Sequence, residues 1–200
     1  MPGPEPPFWN LANLLTLSRL ALAPVVFGLI VLQYPLAAVA VFLLAAVTDW
    51  LDGLAARRLK VNSALGRQLD PLVDKVLVIG CYVYLMAMVP NSGLAPWMIT
   101  AILARELMVQ AIRSLIEGRG EPFGAKFSGK LKTVTQFVAI LAVLVVEAYG
   151  LASGWVVARD VLIWASVLLT IGSGLHYLVL AWPALIGPPP AHPGPGPSPQ

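Results

Sequence analysis

Long apolar segments separated by short polar ones organise most of the chain. Several of them approach the roughly 20 residues that a membrane-crossing helix needs. Clusters of turn-forming residues lie between them, such as Pro90-Asn91-Ser92-Gly93, which carries no charge. The pattern predicts an all-α integral membrane protein with six transmembrane helices, over residues 20–32, 36–49 with a helical extension to 58, 70–89, 96–117, 133–149 and 161–182.

The segment before the first span is polar on one side. Asn13, Thr16 and Arg19 recur at every third position within the otherwise apolar residues 10–19. We therefore expect an amphipathic interfacial helix that leads into the membrane. A capping and anchoring role is the alternative for this polar stripe.

Both ends of the chain are rich in proline. Residues 1–9 lack the basic region that begins a signal peptide. Residues 183–200 contain too much proline and glycine to pack. One membrane domain over residues 10–182 is therefore expected, with a disordered lead and a disordered tail.

The composition excludes an ordinary soluble domain. Hydrophobic residues make up 58% of the 200 residues and charged residues 12%, against about 25% charged in an average soluble chain. The mean hydropathy is +0.80. Because the only cysteine, Cys81, lies in an apolar run, neither a disulfide framework nor a thiolate metal site is expected.

Basic residues gather on one side of the predicted topology. Of the 13 Lys and Arg, only Arg159 falls on the outer side, and Arg105 lies inside a span. This asymmetry places both chain ends in the cytoplasm by the positive-inside rule. Because the basic residues fringe apolar helices and form no separate domain, the pattern argues against nucleic acid as a partner.

The acidic residues concentrate between Asp49 and Lys75, where four of the ten are found. On one predicted helix four residues share a face at positions i, i+3, i+4 and i+7, and on the next helix three residues follow at intervals of four. The two helices thus offer four carboxylates to a common space. The residues are Asp49, Asp52, Gly53 and Ala56, and then Gly66, Asp70 and Asp74.

Four ionised carboxylates in one space repel one another and resist ionisation unless cations lie among them. Two divalent cations would balance their charge. Ligands that are all oxygen suit Mg²⁺, Mn²⁺ or Ca²⁺ and not zinc. Arg57 and Arg58 add positive charge for a phosphate. The alternative is that the acids are solvated helix ends with ordinary surface charge.

Two charges lie near the middle of the fourth span, Arg105 and Glu106. Charges inside a membrane span are costly, and a functional role is the default interpretation. Arg105 and Arg113 fall on one helix face with Val109 between them. A purely structural ion pair with a neighbouring helix is the alternative.

The acidic stretch also carries a family pattern. The spacing D-x2-D-G-x2-A-R-x8-G-x3-D-x3-D is matched at every position, and on it the chain resembles the CDP-alcohol phosphotransferases over nearly its whole length except the ends. The matching residues are Asp49, Asp52, Gly53, Ala56, Arg57, Gly66, Asp70 and Asp74.

The resemblance implies transfer of a phosphatidyl group from CDP-diacylglycerol to an alcohol, with release of CMP. It implies a general base, Asp74, which takes the proton of the attacking hydroxyl. It also implies two divalent cations, Mg²⁺ with Mn²⁺ as the alternative, held by Asp49, Asp52, Asp70 and Asp74. The implied contacts to CDP-diacylglycerol are Asn13, Leu14, Leu15, Thr16, Gly53, Ala56, Arg57, Ser63 and Gly66.

Flanking segments bear on the acceptor. NLLTLSR at 13–19, AREL at 104–107 and SGKLKT at 128–133 resemble those of bacterial phosphatidylglycerophosphate synthases, whose acceptor is sn-glycerol 3-phosphate. Such a phosphate needs a basic pocket, although a plain membrane-surface role also suits Arg113 and Lys130. The candidates for the pocket are Arg105, Arg113, Lys126, Lys130 and Lys132.

Other functions stay open at this point. The same chemistry could use inositol phosphate, serine or phosphatidylglycerol as the acceptor. A cation transporter with intramembrane acids and a catalytically silent scaffold are rivals of a different class. The resemblance further implies a homodimer. With the topology, it implies a multi-pass protein of the bacterial inner membrane whose active site faces the cytoplasm.

Overall fold

The chain folds into α-helices throughout the part that the structure describes. The computed structural model describes residues 11–59, 64–118, 127–150 and 152–186. For residues 49–59, 64–71 and 127–130 it describes the backbone, and their side chains lie outside the description. The helices are α1 (Leu11–Val31), α2 (Pro35–Leu59), α3 (Ala64–Met88), α4 (Pro96–Gly118), α5 (Phe127–Tyr149) and α6 (Ser153–Ile186).

Helix α1 differs from its prediction, because one continuous helix replaces an interfacial helix followed by a separate span. It runs from Leu11 to Val31 and includes Pro24. No glycine or proline stands between Leu11 and Arg19 to break it. The helix ends where Gln33 takes a positive φ of 60° and the chain turns into Pro35.

The other predicted helices are present, with shifts at their ends. Helices α3 and α5 each begin six residues before the predicted spans, so their first turns are polar. Helix α6 begins at Ser153 and continues through Pro183 to Ile186, four residues into the predicted tail. The predicted disorder of residues 1–9, and of the tail beyond 186, concerns residues outside the described set.

The helices alternate in direction, and described contacts join the connections at one end of the bundle. Gln33, which follows α1, donates from its side chain to the carbonyl of Met88 at the end of α3 (3.2 Å). Gly93, in the turn after α3, lies against Asp160 near the start of α6. Its φ of +77° confirms the turn expected around Pro90.

The core is built from apolar side chains of α1, α2, α3, α4, α5 and α6. The rings of Phe42 and Phe137 pack with their centroids 5.1 Å apart, which joins α2 to α5. Phe27 of α1 stacks on Tyr84 of α3 at 4.8 Å. Aromatic pairs of this geometry contribute beyond their buried area, so they fix how these four helices meet.

A buried polar network lies within this core. The Tyr82 hydroxyl of α3 donates to the carbonyl of Gln136 (3.2 Å) and lies 3.4 Å from the Ser166 hydroxyl. The side-chain amide of Gln136 donates to Thr170 Oγ1 at 2.9 Å. Each group is hydrogen-bonded, as burial requires, and the network ties α5 to both α3 and α6.

Large apolar side chains also cover the outside of the bundle. Leu44, Val134, Leu168 and Val179 are more than half exposed, an arrangement that water disfavours and lipid accepts. By length and composition, two helical segments can each cross a membrane, 131–149 and 153–183. Shorter apolar segments occupy 16–31 and 35–48. The part of the chain described here is thus all-α with membrane character, and six crossings stay a prediction.

Gly80 is expected to be required where α1 crosses α3. A Cβ at this position would lie 2.1 Å from Cζ of Phe27, whose ring Tyr84 holds from one face. Gly80→Ala should lower the free energy of unfolding by about 1–3 kcal/mol through overpacking, although alanine is the better helix former. Thermal unfolding in detergent measures this.

Gly28→Ala is the matched control, since a Cβ at Gly28 meets nothing within 4 Å. We expect this variant to be as stable as the parent or more stable. Equal effects of the two substitutions would contradict the close approach of the two helices.

Candidate active site

Basic side chains from four helices gather at the end of the bundle opposite the described turns. We call them the basic cluster. Lys75 lies close enough to Arg105 and Arg113 for their like charges to repel. The same holds for Lys132 with Arg105 and Lys75. The cluster comprises Arg19 of α1, Lys75 of α3, Arg105 and Arg113 of α4, and Lys132 of α5.

Helix α4 contributes two arginines because its polar residues recur with the helical period. Arg105 and Arg113 are two turns apart, and Val109, the residue between them on this face, is buried. The same face therefore packs against the bundle while it carries charge inward. This confirms the shared face predicted from the spacing.

Glu106 joins three members of the basic cluster. Its carboxylate accepts a hydrogen bond from Lys132 Nζ and lies 3.3 Å from Arg105 Nη1. Its carbonyl oxygen accepts a bond from Lys75 Nζ at 3.3 Å, and Lys75 also donates to the side chain of Gln110. Glu106, Arg105 and Lys132 are all buried. The ion pair with a neighbouring helix, which was the alternative interpretation of these two charges, is present, since Lys132 belongs to α5.

The orientation of Arg105 leaves one edge of its guanidinium without a hydrogen-bond partner in the described part of the chain. Nη1 faces Glu106, whereas Nε and Nη2 are buried and have no hydrogen-bond partner in the described part of the chain. The Tyr177 ring of α6 lies against this guanidinium, with its centroid 5.6 Å from Cζ. Nε and Nη2 form the edge that binds an oxyanion in two parallel hydrogen bonds.

Asp74 lies beside a buried arginine of α1. Its Oδ1 is 3.8 Å from Nη1 of Arg19, whose side chain is 2% exposed, while the Asp74 side chain is 33% exposed. Thr16, one turn before Arg19, is buried as well. Thr16 and Arg19 of the polar stripe thus face the bundle, and one carboxylate of the acidic signature is held next to a fixed positive charge while it remains accessible.

Two carboxylates accompany the basic cluster among the described side chains. They are Asp74 and Glu106. Nε and Nη2 of Arg105 and Nε of Arg113 are buried and have no hydrogen-bond partner in the described part of the chain. Because a protein interior solvates ions far less well than water does, these guanidinium nitrogens are suited to bind an anion.

The other residues of the acidic signature lie on α2 and α3. Their side chains lie outside the description, and among described side chains no three His, Cys, Asp or Glu converge. The helical backbone does place each pair on one face, and Asp74 is accessible, so the all-oxygen set fits Mg²⁺ or Mn²⁺. Asp49, Asp52, Gly53, Ala56 and Arg57 lie on α2, and Gly66, Asp70 and Asp74 on α3.

The other predicted contacts are distributed as follows. Leu14 is 56% exposed and Thr16 is buried. The side chains of Asn13 and Leu15 lie outside the description, as does that of Lys130, whose backbone belongs to α5. Ser63 and Lys126 lie outside the described residues altogether.

Three residues of this region were not predicted from the sequence. Lys75 marks only the end of the acidic stretch in the sequence analysis, although a lysine directly before the apolar residues 76–88 of α3 is an unusual charge that the sequence does show. Gln110 stands one turn after Glu106, which is a weaker indication. Tyr177 of α6 gives no indication in the sequence, because its role depends on how α6 packs against α4.

A comparison with known families accounts for this architecture. The model of the CDP-alcohol phosphatidyltransferase family matches residues 9–172, which contain the acidic signature and the basic cluster. The chain belongs to the CDP-alcohol phosphatidyltransferase family. The match ends about four turns before the end of α6.

Similar curated proteins cover almost the same length. The chain is 34% identical over 194 residues to CDP-diacylglycerol–glycerol-3-phosphate 3-phosphatidyltransferase of Bacillus subtilis, covering 88% of this chain and 97% of that protein. It is 35% identical to the protein of the same name from Pectobacterium atrosepticum, covering 90% and 99%. A cardiolipin synthase (CMP-forming) of Oryza sativa is 32% identical over 92% of this chain and 61% of its own length.

Removal of Glu106 should expose the cost of the buried cations. Glu106→Ala leaves Arg105 and Lys132 without their shared carboxylate, and loss of one partner of a buried pair costs about 3–5 kcal/mol of unfolding free energy. Adding Lys132→Met should recover part of this loss, since one of the two uncompensated charges is then removed. Thermal unfolding of the single and double variants measures both effects.

Glu147→Ala on the same bundle provides the control, because Glu147 lies near the far end of α5. Its effect should stay within about 0.5–1 kcal/mol. A double variant less stable than Glu106→Ala alone would contradict the charge pairing.

Proposed function

We propose that the chain transfers a phosphatidyl group from CDP-diacylglycerol to sn-glycerol 3-phosphate, giving phosphatidylglycerol phosphate and CMP. Membership of the family and the names of the Bacillus and Pectobacterium relatives support this reaction. The observation that carries the choice of acceptor is the buried basic cluster. Above all, Nε and Nη2 of Arg105 have no hydrogen-bond partner in the described part of the chain.

The acceptor assignment follows from charge. Glycerol phosphate brings a dianion, which the positive charge of the basic cluster can neutralise. Nε and Nη2 of Arg105 can donate two hydrogen bonds to the phosphate. Lys132 and Lys75, which both contact Glu106, add positive charge close by. Serine carries one carboxylate and one ammonium group, so it would bring the cluster less negative charge than a phosphate does. Of the predicted pocket, Arg113 also fits, through a buried Nε that has no hydrogen-bond partner in the described part.

Asp74 is suited to position the attacking hydroxyl. In the reaction, the hydroxyl oxygen of the acceptor forms a bond to the phosphatidyl phosphorus. The bond from that phosphorus to the bridging oxygen of the pyrophosphate breaks, and the oxygen leaves with CMP. Asp74 accepts the hydroxyl proton as the new bond forms. Nη1 of Arg19, 3.8 Å away, helps to orient this carboxylate.

The four signature aspartates would hold the divalent cations, Mg²⁺ in the first instance and Mn²⁺ as the alternative. When bound, such ions neutralise charge on the transferring phosphate and on the leaving group. Gly53 and Ala56 leave room beside α2 for the nucleotide, and Arg57 and Ser63 can bond its phosphates. Asn13 to Thr16 and Gly66 complete the nucleotide contacts proposed from the family pattern.

The proposed membrane placement puts this chemistry at the cytoplasmic surface of the inner membrane. Six crossings, with both ends inside, bring the N-terminal half of α1 and the C-terminal part of α6 to the same side as the basic cluster. The acyl chains of the donor can then remain in lipid while glycerol phosphate enters from water. A homodimer is proposed from the family alone.

A different acceptor within the same chemistry is the principal alternative. The Oryza relative is named a cardiolipin synthase that forms CMP, and its similarity spans 92% of this chain. Such an acceptor would be a phospholipid, which arrives from the bilayer. A panel of acceptors distinguishes the two functions.

CMP release from CDP-diacylglycerol in the presence of Mg²⁺ tests the proposed reaction. It is measured with sn-glycerol 3-phosphate, inositol phosphate, serine and phosphatidylglycerol. We expect release with glycerol phosphate, loss of release on chelation of the metal, and a decrease of at least about 100-fold in Asp74→Asn. Release with phosphatidylglycerol alone would overturn the acceptor, and no release from folded protein would overturn the enzymatic function.

Arg105 is expected to bind the acceptor phosphate. Arg105→Gln removes the charged edge and should raise the KM for glycerol 3-phosphate about 10- to 100-fold, with little change in the KM for CDP-diacylglycerol. Arg159→Gln is the matched control, because Arg159 is an equally buried arginine at the opposite end of the bundle, paired with Asp160 at 2.8 Å. Equal changes in both KM values for Arg105→Gln would contradict its role with the acceptor.

A further inference from the structure

Helix α6 contains a glycine that faces the arginine of the basic cluster. A Cβ at Gly174 would lie 2.6 Å from Cγ of Arg105 and 3.7 Å from its Cβ. Gly174 is buried, and α4 and α6 pack against each other here. The aliphatic stem of Arg105 therefore occupies the space that a side chain at position 174 would take.

Arg105 has little freedom to give way at this point. Cγ stands near the root of the side chain, so moving it moves the whole guanidinium. Glu106 holds Nη1 on one side, and the Tyr177 ring, 1% exposed, lies on another. Gly174 and Tyr177 are three residues apart and so share a face of α6. Two residues of one helix face thus define the position of one guanidinium.

We propose that Gly174 is a positioning residue that sets the affinity of the basic cluster for the acceptor phosphate. Its missing side chain lets the stem of Arg105 pass α6, and this directs the Nε–Nη2 edge to the place where the phosphate binds. The inference rests on the proposed function and adds α6 to the acceptor site. Residue 174 lies beyond the family match, which ends at residue 172.

Glycine is not needed here for its backbone freedom. Gly174 lies inside a regular helix, and alanine favours a helix more than glycine does. A loss on substitution therefore cannot come from helix propensity. Gly172, two residues earlier on the same helix, is exposed and has nothing within 4 Å of its Cβ position, so Gly172→Ala is a matched control.

The test compares steady-state kinetics of Gly174→Ala and Gly172→Ala. Because a displacement of about 1 Å in a positioning group can cost up to about 100-fold, we expect Gly174→Ala to raise the KM for glycerol 3-phosphate about tenfold. The KM for CDP-diacylglycerol should stay unchanged, as should both constants of Gly172→Ala. An unchanged KM for glycerol 3-phosphate in Gly174→Ala, or the same rise in Gly172→Ala, would overturn the proposal.

A double-mutant cycle separates positioning from general damage to the helix. Arg105→Ala removes the Cγ that the new methyl group would meet, so adding Gly174→Ala to it should leave the KM unchanged and should not lower the unfolding temperature. A further rise in the KM, or a lower unfolding temperature, in the double variant would show that Gly174 acts through another contact. This comparison holds even if Gly174→Ala alone fails to fold.

Binding of inorganic phosphate provides a readout without turnover. Phosphate should raise the unfolding temperature of the parent protein and of Gly172→Ala, and it should do so less in Gly174→Ala. An equal increase in all three would contradict the proposal. If the parent protein releases no CMP with glycerol 3-phosphate, the proposed function fails, and the phosphate titration still decides the role of Gly174.

Discussion

The burial of cationic side chains inside the bundle constrains the described part of this structure more than any other feature. Arg19, Arg105 and Lys132 are almost wholly enclosed by helices, and the described part of the chain brings them Asp74 and Glu106 as carboxylate partners. Buried ions need such partners, because a protein interior solvates them poorly. Nε and Nη2 of Arg105 have no hydrogen-bond partner in the described part, and the proposed acceptor phosphate would supply one.

The rest of the fold holds the helices that carry these buried cations in place. The apolar core and the network of Tyr82, Gln136 and Thr170 hold α3, α5 and α6 together next to the charges. Glu106 then fixes Lys132 and one end of Arg105, so that the other edge is left for a ligand. Packing in the middle of the bundle thereby determines geometry at its charged end.

Much of this could be predicted from the sequence, because the information is local. Apolar segment lengths predict the helices, and the turn at Pro90–Gly93 follows from its composition. Spacing by four places Arg105 and Arg113 on one face. Contacts between distant segments could not be predicted this way. The pairing of Arg19 with Asp74, the stacking of Tyr177 on Arg105 and the clearance at Gly174 depend on how α1 and α6 pack, which helical periodicity does not encode.

The continuity of α1 also shows what the polarity of a segment cannot predict. Polarity suggested a boundary near Arg19, whereas the backbone has no residue there that would end a helix. Thr16 and Arg19 of the polar stripe are buried, and Arg19 lies beside Asp74. Polarity along a segment thus indicates a partner for polar groups and leaves open whether that partner is water or protein.

Equilibrium binding of sn-glycerol 3-phosphate, measured by calorimetry on the purified protein without CDP-diacylglycerol and compared with glycerol, tests the central claim most directly. The account predicts that glycerol 3-phosphate binds, that glycerol does not, and that affinity weakens as ionic strength rises. Binding of both compounds with similar affinity, or of neither, would contradict the assignment of the buried cations to the acceptor phosphate.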